Sequence, residues 1–214
     1  MLIRMNRAHF PVTVLGPGRR IGLWLQGCSL ACKGCVSRDT WDVEGRPLTD
    51  LDQVMDWVAS VGADADGVTI SGGEPFQQPE ALDELLRRLD VWRRGQGRDI
   101  DLLSYSGYTL PWLRRRHPEI LTRLDAVIPA PFVEKRPTNL VWRGSANQAL
   151  IPLSPLGRRR FGESIDKAEI EPGMQVSVEG DTLWMIGIPR EGVMPALEEA
   201  LKTRGIVHGG VSWR

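Results

Sequence analysis

The segment Pro79–Arg94 places Leu82, Leu85, Leu86, Leu89 and Trp92 on one stripe at helical spacing. It stands between two strand patterns, "DGVTISGGEP" from Asp66 and "IDLLSYSGY" from Ile100. The alternation extends both ways. Upstream, "FPVTVLGPG" reads as a short strand and turn. "RRIGLWLQG", Arg19 to Gly27, reads as a strand with Ile21, Leu23 and Leu25 on one face, and Thr49 opens a helix carrying Leu51, Val54, Met55 and Val58. Downstream, "TLPWLRRRHPEILTRLD" is helical and broken near Pro118, and "AVIPAPF" is a further short strand. This order predicts an α/β fold with a mainly parallel sheet. A chain of 214 residues is too short for a closed eight-stranded barrel. The expected architecture is an open partial (β/α) barrel.

In such sheets ligands bind beyond the carboxyl ends of the strands. Here those ends lead into "GCSLACKGC", "SGGEP", "YSGY" and "PAPF". All the unusual segments therefore fall on one rim. Gly72 and Gly73 let backbone approach a ligand closely, or simply make a tight turn.

The chain's three cysteines, Cys28, Cys32 and Cys35, lie within eight residues of that rim. A disulfide framework spreads cysteines along a chain, so this clustering points to a metal. A structural zinc site wants a fourth ligand. No fourth cysteine exists, and His9, His117 and His208 lie far off in sequence. Zinc is incomplete as written, whereas a [4Fe–4S] cluster with one open iron needs three thiolates only. Three ordinary buried cysteines are the remaining alternative.

Charge excludes some functions. With 27 basic and 27 acidic side chains, the chain has no excess for general nucleic-acid binding. No apolar run approaches the ~18–20 residues of a membrane span. "MLIRMNRAHFPVTV" lacks the apolar core of a signal peptide, so a cytoplasmic protein is expected.

The C-x3-C-x2-C loop followed by Gly-Gly-Glu-Pro resembles the radical S-adenosylmethionine superfamily. "GPGRR", "QGC", "CKGCVSRDTW", "SGGEPF", "YSGYTL" and "WRGSANQ" together resemble the anaerobic ribonucleoside-triphosphate reductase activating proteins, over roughly residues 10–152. That family belongs to the glycyl-radical-enzyme activases. The resemblance implies that Cys28, Cys32 and Cys35 hold a [4Fe–4S] cluster and that the open iron is chelated by S-adenosylmethionine. It implies reductive cleavage of that cofactor to a 5′-deoxyadenosyl radical, which abstracts hydrogen from a glycine of a partner such as anaerobic ribonucleotide reductase. A flavodoxin or ferredoxin is the implied electron donor.

Site roles follow from the same resemblance. Gly34, Cys35 and Val36 are expected near the adenine, and Gly72, Gly73 and Glu74 near the methionyl amino group, with a structural Glu74 as the alternative. Ser104 and Ser106 can reach ribose or carboxylate, or act as turn residues. Arg143 can clamp a carboxylate or the partner's loop, or form a structural salt bridge. Trp24, Trp41 and Trp142 are expected to pack, His117 to be exposed, and the arginines at 114–116 and 158–160 to be solvated. Alternatives in substrate are a peptide or small molecule, as in 7-deazapurine-synthase-like enzymes, or a non-catalytic iron–sulfur or zinc protein.

Two features depart from the family pattern. Pro129-Ala130 stands where members commonly carry Asp-Gly. The chain also continues past a core placed at residues 1–153. Residues 154–214 form an appendage without cysteine, expected to hold a hairpin around Glu179-Gly180-Asp181 and a helix stopped by Gly205. It would cap the barrel or present a partner surface.

Overall fold

The computed structural model describes residues 1–168, 173–190, 192–206 and 211–212; His208 lies outside the described residues. Its strands and helices run β1 (Leu2–Val12), β2 (Arg20–Leu25), β3 (Leu48–Asp50), α1 (Leu51–Val61), β4 (Gly67–Gly72), α2 (Pro79–Arg94), β5 (Asp101–Tyr105), α3 (Leu110–Arg116), α4 (Pro118–Arg123), β6 (Ala126–Ile128), β7 (Ile151–Pro152), α5 (Pro155–Phe161), β8 (Met174–Glu179), β9 (Thr182–Gly187) and α6 (Val193–Thr203).

Seven strands form one sheet in the order β3-β1-β2-β4-β5-β6-β7. Its centre, β2-β4-β5-β6, is parallel, as the strand–helix alternation requires. β1 pairs antiparallel to both β2 and β3, and β7 antiparallel to β6. β8 and β9 form a separate antiparallel hairpin.

Alternation along the central strands serves two cores. Ile21, Leu23, Leu25, Val68, Ile70, Leu102 and Val127 face the helices, where they meet Leu51, Val54 and Val58 of α1 and the Leu82-Leu85-Leu86-Leu89 stripe of α2. Each fully buried aliphatic side chain contributes about 1.5–3 kcal/mol. On the opposite face, Leu103, Ala126 and Ile128 pack against Phe161 of α5. Val12, Leu15 and Trp24 pack against Ile186 of β9. The C-terminal segments thus cover the second face of the sheet.

That second face also carries a buried ion network. Arg20, fully buried, donates to both carboxylate oxygens of Asp101 at 2.6 and 3.1 Å and to Thr69 Oγ1 at 2.6 Å. Arg160 of α5 reaches the same carboxylate at 3.1 Å, so it is not the solvated charge its run suggests. Arg114, Arg115 and Arg116 are exposed as expected. His117 is not: it lies half-buried with ring centroids 5.8 Å from Phe76 and 5.5 Å from Trp112. The break at Pro118 turns it inward, between α3 and α4.

Element boundaries differ from the sequence pattern where polarity hides them. β1 begins at Leu2, because Arg4, Asn6 and Arg7 interrupt its apolar alternation while its backbone pairs on both sides. The first helix starts at Leu51, capped by Asp50, whose carboxylate accepts the Asp52 N–H at 3.0 Å. The hairpin turns at Gly180, as expected, and α6 ends at Thr203, with Gly205 at φ +69° two residues beyond. There the Gly205 N–H reaches the Lys202 carbonyl at 3.0 Å.

Candidate metal centre

The carboxyl ends of the four parallel strands do lie on one rim. β2 and β4 are in register there, Leu25 opposite Gly72. The cysteine loop leaves from Gly27 and returns at Trp41 through two closing hydrogen bonds. Gly27 N–H donates to Thr40 O at 2.7 Å, and Cys28 N–H to Trp41 O at 3.0 Å. Gln26, buried under the loop, donates to the Asp39 carbonyl at 3.1 Å and accepts from Asn6 at 2.6 Å. The loop is therefore pinned at its root, at Gly27 and Cys28, and carries Cys32 and Cys35 beyond it.

Gly72 and Gly73 build that root. A Cβ on Gly73 would stand 2.2 Å from the Gly27 carbonyl oxygen, and one on Gly72 2.5 Å from the Leu25 nitrogen. Gly72 also has φ +100°. The close approach that only glycine allows is made to the chain's own backbone, and Gly73 N–H and Glu74 N–H bond Leu25 O and Gly27 O at 2.8 and 2.9 Å.

Glu74 is almost fully buried and brackets two strand ends. Its carboxylate accepts from the Gly107 N–H at 2.6 Å, the Ser106 hydroxyl at 2.9 Å and the Phe76 N–H at 3.0 Å. Burial pushes its pKa up to about 7, against the pull of those three donors. Ser104 is buried and donates to the carbonyl of Tyr105 at 3.0 Å. Gln77, not singled out by any motif, accepts from Ser29 N–H at 3.0 Å and donates to Ser29 Oγ at 2.6 Å. Its only sequence signal was its place directly after "GGEPF".

Cys28, Cys32 and Cys35 are free and half-buried. Burial raises the Cys28 and Cys32 thiols. Backbone groups oppose it, Leu30 and Ala31 beside Cys28, and Phe132 beside Cys32. The Ser37 N–H donates to Cys35 Sγ at 3.4 Å. The Ser37 N–H can thus stabilise negative charge on the Cys35 sulfur. Among the described residues no three His, Cys, Asp or Glu side chains converge as ligands of a single ion. A cubane asks for something different, since its thiolates bind separate irons around a cluster. The donor set, three free thiols on one pinned loop with the Ser37 N–H on Cys35, fits such a group.

"WRGSANQ" braces the segment after β6. Gln148 donates to Ala130 O at 3.0 Å while its own carbonyl accepts from Gly144 and Ser145. Asn147 donates to Pro131 O at 2.8 Å, and Ser145 Oγ accepts from Val133 N–H at 3.0 Å. The segment carries Phe132 to Cys32. Ala130 within it has φ +90°, where glycine is at ease and alanine is strained. Arg143 is buried and its guanidinium goes to the backbone carbonyls of Val141, Ser164 and Ile165, with no carboxylate partner among its hydrogen bonds. It forms part of the wall of a cavity of about 840 Å³, together with Gly34, Val36, Phe132 and Trp142 on one side and Ile188, Pro189 and Met194 on the other. Trp24 is buried; Trp41 and Trp142 are half-buried.

The family model described as a 4Fe-4S single cluster domain matches residues 14–151. The anaerobic ribonucleoside-triphosphate reductase-activating protein of Haemophilus influenzae is 32% identical over 147 residues, covering 66% of this chain and 94% of that protein. Its counterpart in Escherichia coli K12 is 30% identical over 149 residues, with the same coverage. The chain belongs to the family of anaerobic ribonucleoside-triphosphate reductase-activating proteins. The enterobacteria phage T4 protein of that name is 30% identical over 138 residues, 64% of this chain and 86% of its own. The match to the two bacterial relatives takes in 66% of this activating-protein family member, and the family model stops at residue 151. A solved structure titled "Crystal structure of QueE from Escherichia coli" overlaps 51% of this chain and 54% of its own, at 19% identity and a TM-score of 0.41. No helix among the described residues is long and apolar enough to cross a membrane.

Proposed function

We propose that this chain is a radical S-adenosylmethionine activase, with a [4Fe–4S] cluster held by Cys28, Cys32 and Cys35 and a glycyl radical enzyme, anaerobic ribonucleotide reductase, as its partner. The observation that carries the reading is the three-thiol loop, pinned at Gly27 and Cys28 on the carboxyl rim of a parallel sheet. The bound cluster and S-adenosylmethionine would supply the one-electron cleavage that yields a hydrogen-abstracting radical.

The chain's own residues bind, orient and enclose. Gly72 and Gly73 fix the loop's root, and Glu74 ties it to the end of β5. Gly34, Val36 and Arg143 line the cavity on the cysteine side. Neighbouring apolar side chains, Phe132 and Trp142, keep water from the reacting atoms. Gly72, Gly73 and Glu74 present backbone to the methionyl end; Ser104 shapes the strand end beneath. We read the open sheet as a partial barrel of residues 1–153, the remainder as its extension, a flavodoxin or ferredoxin as electron donor and the cytoplasm as location.

The test is anaerobic reconstitution with iron and sulfide, then dithionite, S-adenosylmethionine and an assay for 5′-deoxyadenosine. Product from the parent and none from Cys32→Ala supports the reading. A loaded [4Fe–4S] cluster with no product in the presence of the partner reductase refutes it.

One observation favours a second reading. The extension walls one side of the cavity, so a peptide or small molecule enclosed there would be the hydrogen donor. Deuterium transfer into 5′-deoxyadenosine from a labelled glycine of the reductase would decide for the first.

A further inference from the structure

The extension is anchored to the cysteine loop itself. The Asp39 N–H donates to the Ser212 carbonyl at 3.1 Å, and the Ser212 hydroxyl donates to the Val36 carbonyl at 3.2 Å. Both contacts fall on the return limb of the loop, directly after Cys35. Met194, near the start of α6, borders the 840 Å³ cavity. It also borders a second recess of about 450 Å³ lined by Gly34, Cys35, Val36, Arg38 and Trp41. Further back, the hairpin is fastened to the core. Gln175 accepts from Thr13 N–H at 2.9 Å and donates to Pro11 O at 2.7 Å, and the Trp184 ring lies tilted against the buried His9 with centroids 4.7 Å apart.

The extension's residues lie beyond the family model's match, which ends at residue 151, and the bacterial relatives match 66% of this chain over 94% of their own length. A cofactor site that must exclude water needs a wall over the rim. Here the wall belongs to the same chain.

We propose that the C-terminal extension is a cap supplied in cis, with Met194 as its contact and Ser212 as its latch on Val36 and Asp39, and that it holds S-adenosylmethionine in the site before any partner docks. The inference rests on the proposed radical S-adenosylmethionine reading and deepens it. Met194 and Ser212 are positioning residues: they act through the limb that follows Cys35. A protein partner then meets a site already closed and must engage the cap to reach it.

The cap is tested on anaerobically reconstituted protein without partner, comparing the parent, Met194→Ala/Ser212→Ala and Ser212→Thr. The readouts are hydrogen exchange at the Asp39 amide and equilibrium binding of S-adenosylmethionine. In the double alanine variant Asp39 exchange accelerates and S-adenosylmethionine binds about tenfold more weakly, the loss of one hydrogen bond and one apolar contact. Iron content and the spectrum of the reduced cluster stay as in the parent, and Ser212→Thr, which keeps the hydroxyl, binds as the parent does. Parent-like exchange and affinity in the double variant overturn the cap and leave the activase reading standing. A parent with a full cluster that fails to bind S-adenosylmethionine overturns both.

Discussion

The missing side chain of Gly73 points at the carbonyl of Gly27, so that a Cβ would stand 2.2 Å from its oxygen. The obstacle is backbone and cannot swing aside. Gly73→Ala must push β4 away from the root of the cysteine loop. The expected cost is about 3 kcal/mol, which for a chain of this size lowers the melting temperature by roughly 6–12 °C. Iron incorporation should fall with it. Calorimetry and iron analysis of the variant check both, and a parent-like melting temperature would show that the loop root is not packed in this way.

Glu74 gives the fold a pH dependence of unusual sign. Its pKa rises on folding, from the ordinary value of 4.5 to about 7, because burial disfavours the charge. The native state thus holds this proton more tightly than the unfolded chain. Its contribution is most favourable below about pH 4.5, declines as pH rises to about 7, and is flat above. The decline is at most roughly 3 kcal/mol. Glu74→Gln should lose stability overall, since its NH2 faces the Phe76 or Gly107 donor. It should also flatten this slope. Denaturant unfolding of parent and variant between pH 4.5 and 8 measures the difference curve, and a difference that grows with pH contradicts the assignment.

Ala130 occupies φ +90° with its N–H held by Tyr108 O at 2.8 Å and its carbonyl by Gln148. Both ends are committed, so the residue cannot relax. Ala130→Gly relieves steric strain of about 1–2 kcal/mol and adds unfolded-state entropy worth somewhat less. A net gain of about 0.5–1 kcal/mol is expected in urea unfolding. Destabilisation by the glycine would mean that the alanine carries no strain.

Asp101 neutralises Arg20 in the interior and takes Arg160 as well. Asp101→Asn leaves a buried guanidinium uncompensated, at a cost of about 3–5 kcal/mol. Replacing the pair together, Arg20→Met with Asp101→Leu, should cost less than the single change. Guanidinium unfolding of the three proteins tests the order.

The alternation of strand and helix, the shared rim and the cysteine loop were legible because each is written in local spacing. The Leu82-Leu85-Leu86-Leu89 stripe specifies a helix wherever it packs, and three thiols within eight residues must share one loop. The stop at Gly205 is equally local. Polarity misled where long-range partners compensated. Arg160 reads as solvent-exposed until α5 folds over Asp101, and His117 reads as exposed until the turn at Pro118 sets it between Phe76 and Trp112.

What the chain alone determined is the chemistry it can carry: three clustered thiols, paired glycines, and the order of elements that brings them to one edge. Tertiary structure decided what each does there. The glycines meet Leu25 and Gly27 only when β4 lies beside β2, and Glu74 reaches Gly107 only across the end of β5. Ser212 finds Val36 and Asp39 across more than 170 residues of sequence. Such contacts leave no periodic trace, because the free energy that selects them comes from burial and hydrogen bonds made between distant segments.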